Sequence, residues 1–130
     1  MPPNIAPRAL RGATLAAVVA AVLLAAACRG DAKVVAMRDN TFEARVVRVA
    51  AGASLRFKNA GLGVHNVVIA DSATAPFPAN PPIVKPGESQ RLEFGKPGVY
   101  HIYCSFHGTP DGRGMAGVVV VGDVAYQQGQ

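Results

Sequence analysis

The stretch YCSFHGTPDGRGMAGVVVV, residues 103–121, carries Cys104, His107 and Met115 on one segment and closes on a run of valines. Val99–Cys104 reads as a strand and Gly117–Val121 as a second, buried one, because short apolar runs bounded by Gly and Pro have the length of strands rather than helices. The connection between them thus holds three metal-ligating side-chain types between two strand ends. Upstream, GVHNVVI (63–69) adds His65 at the start of another apolar strand, Val64–Ala70. One thiolate, two imidazoles and a thioether suit copper, as a His2Cys plane with a weak, long axial Met. A structural zinc site takes four strong nitrogen or sulfur ligands, usually with more than one cysteine. Here the body of the chain offers Cys104 alone, since Cys28 stands near the N-terminus.

Working outward, strand signals continue and helical periodicity is absent. Val34–Met37 is a short apolar run, and Phe42–Val49 is rich in β-branched residues. Ser54–Lys58 and Ser89–Phe94 alternate with period two, the pattern of a half-buried strand. Ala51-Gly52, Lys58–Gly63, Lys85–Glu88 and Gly95–Gly98 are turn or loop segments, and Pro76, Pro78, Pro81 and Pro82 keep Asp71–Pro82 out of a central strand. Short strands at roughly 8–12-residue spacing predict an all-β fold, an antiparallel sandwich or barrel. The domain is expected over residues 34–124, with 125–130 as a C-terminal tail.

The N-terminus reads as an export signal over residues 1–27. Arg8 and Arg11 form a positive n-region, and Ala13–Ala27 is an apolar run of 15 residues, shorter than the roughly 18 of a spanning helix. Ala25-Ala26-Ala27 supplies small residues for cleavage, immediately followed by Cys28. That placement resembles the lipidation site of bacterial lipoproteins, although Leu24 stands one position further from the cysteine than usual; the same alanines also suit ordinary signal peptidase. Residues 28–33 then form a short tether. The expected location is outside the cytoplasm, in the periplasm or on the outer cell surface, with membrane association through a lipidated Cys28.

Of the 130 residues, 13 are Lys or Arg and 8 Asp or Glu. Arg8 and Arg11 leave with the leader, which lowers the net charge from +5 to +3. The remaining basic residues are scattered and lack interleaved aromatics, which speaks against nucleic acid and for a solvated surface.

With these residues in view, the chain resembles the cupredoxins, closest to the plastocyanin type. The resemblance spans Phe42 to Val121. It is carried by Phe42, Val49, Gly52 and Phe57-Lys58-Asn59, by His65-Asn66-Val67-Val68, by Tyr103–His107, and by Gly114-Met115-Ala116-Gly117-Val118. It implies a Greek-key β-sandwich binding one type-1 copper, with His65, Cys104, His107 and Met115 as ligands and Asn66 tying the two ligand loops together. One departure is visible: the seven residues Gly108–Gly114 between His107 and Met115 are more than the plastocyanin type has. The implied activity is single-electron transfer between redox proteins by a monomer, not an enzyme. Electrons would pass through the edge of His107, amid Leu62, Gly63, Gly108 and Pro110, with Tyr103 as a second route.

Other readings compete. An extracytoplasmic copper-delivery protein would bind the same metal, but such carriers offer open, Met- or His-rich sites that this chain lacks. A copper oxidase would need a second copper site and more than the 3 histidines present. Cys104 and His107 also have the composition of a nucleophile–base pair, without an evident orienting Asp or Asn. A disulfide from Cys104 to Cys28 is chemically open outside the cytoplasm, though Cys28 lies at the processing site. His101, three positions before Cys104, should face the opposite side of its strand, and Met37 has no ligand context.

Overall fold

A computed structural model describes residues 32–70, 77 and 80–129; the expected leader, Cys28 and most of the tether lie outside them. Among the described residues eight strands follow in order: β1 Lys33–Arg38, β2 Thr41–Phe42, β3 Val46–Val49, β4 Ala53–Asn59, β5 Val68–Ile69, β6 Ser89–Phe94, β7 Gly98–Gly108 and β8 Gly114–Val121. They form two four-stranded sheets, ordered β2-β1-β4-β6 and β3-β8-β7-β5. The all-β Greek-key sandwich is therefore present. It is not purely antiparallel: β1 runs parallel to β4, and β3 to β8. Parallel neighbours cannot be joined by a tight hairpin, so the chain visits another strand before returning.

Alternation fills the space between the sheets. Along β4, Leu55, Phe57 and Asn59 are buried; along β6, Gln90, Leu92 and Phe94; along β7, Tyr100, Ile102 and Cys104. Phe42 and Phe57 meet edge-on at 6.0 Å, and Phe94 meets Tyr100 at 5.3 Å, both favourable for aromatic quadrupoles. Tyr100 donates its hydroxyl proton to the Lys96 carbonyl at 2.8 Å, anchoring the turn that feeds β7. Met37, without ligand context in the sequence, is fully buried in this core.

Several element bounds differ from the sequence pattern. Phe42–Val49 is not continuous: it breaks into β2 and β3 around Ala44, whose φ is 60°. Val64–Ala70 pairs regularly only at Val68–Ile69. His65 instead makes an isolated antiparallel bridge with Val84. The reason is polar: Asn59, Asn66 and Asp39 bond this segment and its neighbours through side chains where a ladder would otherwise run. The longer Gly108–Gly114 connection is also partly paired. β7 and β8 extend to a Gly108–Gly114 pair, leaving 109–113 as the turn.

Candidate metal centre

Cys104 is the next inward residue of β7 after Tyr100 and Ile102, so ordinary strand alternation carries its thiol to one end of the core. It is a free, fully buried cysteine. His107 needs a different explanation, since a residue three positions along a regular strand would face away. The β7–β8 register supplies it: Tyr103 pairs with Ala116 and Gly108 with Gly114, with a bulge between. Residues 104–107 therefore pass Met115 alone. A bulge of this kind re-aims side chains, and here His107 Nδ1 comes to 3.6 Å from the Cys104 sulfur.

His65 enters from the segment that leads into β5, the strand beside β7. Its backbone bonds Val84 in both directions, at 3.1 and 2.8 Å, and its Nδ1 stands 3.7 Å from the Cys104 sulfur. The two imidazole rings lie 5.0 Å apart. One donor atom from each of His65, Cys104 and His107 falls within 4.8 Å of the others. Met115, fully buried, follows the Gly108–Gly114 pair on β8. His65 and Cys104 are sealed from solvent, whereas His107 is exposed. Burial first, then repulsion from His107, holds the His65 pKa below its ordinary value, with Asp39 acting the other way. A neutral imidazole is the form that binds metal.

The loops that carry these groups are held by amides and a carboxylate. Asn66 Nδ2 donates to the Ser105 hydroxyl at 2.8 Å, and its oxygen accepts the Ser105 N–H at 2.9 Å. That is the tie between ligand loops that the resemblance implied. Asn59, nearly fully buried, donates to the carbonyls of Gly63 and Val84 and accepts from the Gly61 N–H, all at 2.8–2.9 Å. Asp39 accepts N–H bonds from Leu62 and Gly63, and these, Gly63 first, hold its carboxyl below the usual range. Its Oδ1 also lies 3.6 Å from His65 Nε2. Sequence reasoning missed the part played by Asp39, because nothing in its local sequence points to residue 65.

Asp39 also revises the reading of Cys104 as a nucleophile. Sulfur, imidazole and carboxylate do line up, as Cys104, His65 and Asp39. The thiol and ring are nonetheless fully buried, and a second imidazole faces the same sulfur. A metal ion explains that convergence; a hydrolytic nucleophile, which must reach substrate, does not. Two imidazoles and a buried cysteine sulfur, with the Met115 thioether nearby, fit a single type-1 copper site.

The surface beside the exposed His107 is apolar at Phe106 and Gly63 and polar at Thr109 and Arg113. Leu62 is 90% exposed and Phe106 48%. A side-chain carbon added at Gly63 would stand 3.9 Å from the His107 ring, so the small residue leaves that edge open.

Comparison with known proteins gives a consistent picture. The profile of the cupredoxin-like domain matches residues 12–121. A reduced amicyanin variant is similar in structure, with 27% identity and a TM-score of 0.60 over 70% of this chain and 82% of that one. The reduced Cu(I) form of another amicyanin variant, at pH 4, is similar at 26% identity and TM-score 0.60, over 71% and 83%. A purple cupredoxin from Nitrosopumilus maritimus shares the fold at 20% identity and TM-score 0.56, over 68% and 98%. No curated protein matches the chain.

Proposed function

The chain belongs to the cupredoxin-like family, and from that premise we propose that it shuttles single electrons between redox proteins outside the cytoplasm, with His65, Cys104, His107 and Met115 holding the metal. The observation that carries the reading is the convergence of two imidazole nitrogens on one buried cysteine sulfur, at 3.6 and 3.7 Å. A copper ion bound there supplies a one-electron couple between Cu(I) and Cu(II). The protein's share is to hold donors suited to both states without rearrangement. The Tyr103–Ala116 and Gly108–Gly114 pairs bracket Cys104 and Met115, and the Asn66–Ser105 bonds lock the two histidine-bearing segments together.

His107 is the route outward, because it alone of the three clustered ligands reaches the surface. Leu62, Gly63 and Phe106 give that exit an apolar rim. Such a rim suits brief docking of redox partners through small interfaces, below about 1,200 Å². Cys28, placed directly after the apolar leader, would keep the domain near a membrane when lipidated. Intact mass of the native protein checks this: an acylated protein beginning at Cys28 supports the anchor, and an unmodified soluble one removes it.

The metal reading is tested by adding Cu(II) to the purified domain and recording the visible spectrum. An intense blue colour is expected, from charge transfer out of the Cys104 thiolate. Cys104→Ser should be colourless yet folded. A colourless wild type saturated with Cu(II) overturns the type-1 assignment.

A further inference from the structure

Asp39 stands in the turn between β1 and β2, distant in sequence from every residue of the metal cluster. Three observations bring it to the site. Its Oδ1 accepts the N–H groups of Leu62 at 2.9 Å and Gly63 at 3.0 Å, so it braces the loop that leads into His65. A Cβ at Gly61 would collide with that same oxygen and crowd the Asp39 backbone nitrogen; only glycine leaves room for the carboxylate. Third, Oδ1 lies 3.6 Å from His65 Nε2, a buried nitrogen with no hydrogen-bond partner.

The chemistry of a neutral imidazole makes this contact consequential. The ring carries one proton, and Nδ1 is the nitrogen facing Cys104. For Nδ1 to offer its lone pair to a metal, the proton must sit on Nε2. The group that Nε2 faces decides which form wins, and it also sets the orientation and basicity of the ring. At 3.6 Å the contact is in ion-pair range and longer than a hydrogen bond. What Asp39 presents to Nε2 is therefore a negative charge and an acceptor, with lone-pair capacity beyond the N–H bonds it already takes.

We propose that Asp39 is the positioning residue of His65: it holds the imidazole proton on Nε2, leaves Nδ1 open toward Cys104, and sets the affinity and potential of the metal site through its charge. One carboxylate thus couples the backbone of the 61–63 loop to the ring of residue 65. The role rests on the copper reading above, and the negative charge beside the site favours the more positive oxidation state.

The test begins in the metal-free domain, where imidazole ¹⁵N shifts report the tautomer. His65 is expected as the Nε2–H form in the wild type and to lose that preference in Asp39→Ala. Asp39→Asn keeps an oxygen to accept from Leu62 and Gly63 but removes the charge. With Cu(II) added, it should weaken metal affinity by about 10- to 100-fold and raise the reduction potential while the fold persists. A wild-type His65 protonated on Nδ1, or an Asp39→Asn protein with unchanged affinity and potential, overturns the proposal. A wild type that stays colourless with Cu(II) instead defeats the copper reading, and the tautomer measurement still decides the role of Asp39.

Discussion

His101 and His107 each stand three residues from Cys104, on either side of it, and they end in different places. His101 lies in the regular part of β7, paired with Val118, and is exposed on the face away from the core. His107 lies within the bulge and brings Nδ1 to 3.6 Å from the sulfur. The ladder that disposes of one histidine is interrupted to recruit the other. A metal centre of this kind therefore cannot be built from strand periodicity alone. It needs a place where pairing stops, and whatever holds the chain there must be something other than the ladder. On the His65 side that something is side chains: Asn59, Asn66 and Asp39 take the backbone and hydroxyl bonds that a neighbouring strand would otherwise have made.

The largest break in this comparison should come from Asn59→Ala. The substitution strips partners from the Gly63 and Val84 carbonyls and from the Gly61 N–H together. Leaving a buried polar group unpaired costs about 1–3 kcal/mol. The Val84 carbonyl keeps the His65 N–H and water can reach the half-buried loop glycines, so the expected total is about 2 kcal/mol, read as a shift in the urea midpoint of the metal-free domain. His101→Ala, on the intact ladder, should stay within about 0.5 kcal/mol. Equal effects of the two substitutions would show that the broken-ladder end relies on nothing special.

What could be read in the sequence follows the same division. The alternation in Leu55-Arg56-Phe57-Lys58 and in Gln90–Phe94, and the valine run of β8, were legible because a half-buried or fully buried strand writes its environment into a short window. Cys104 was legible for the same reason, and His65, His107 and Met115 through the motif that frames them. The pattern failed where tertiary bonds replaced pairing. Val64–Ala70 looks like one apolar strand, yet Asn66 and its partner Ser105, 39 residues away, give that segment another structure. Asp39 was invisible for an allied reason. Its contacts with Leu62, Gly63 and His65 exist only because β1 lies alongside β4 in a parallel pair, which brings the two loops to one end of the sandwich.

The smallest effect, and the sharpest test of the strand side, belongs to Met115. The longer connection before it is closed by its own bonds: Thr109 N–H to the Arg113 carbonyl and Gly112 N–H to the Thr109 carbonyl, both 3.1 Å, with Arg113 paired to Asp111 at 3.0 Å. The Gly108–Gly114 pair restores the β7–β8 register just before Met115, so the extra residues project beyond the site instead of displacing this side chain. Met115→Leu is close to volume-conserving, and a swap of that kind in a fully buried position should cost less than about 1.5 kcal/mol. A thioether in the axial place is a weak donor that favours Cu(II). Its loss should therefore leave copper bound and the colour present while raising the reduction potential, as measured by redox titration of the blue band. If both spectrum and potential stay where they are, Met115 packs the core without touching the metal, and the axial place belongs to another group.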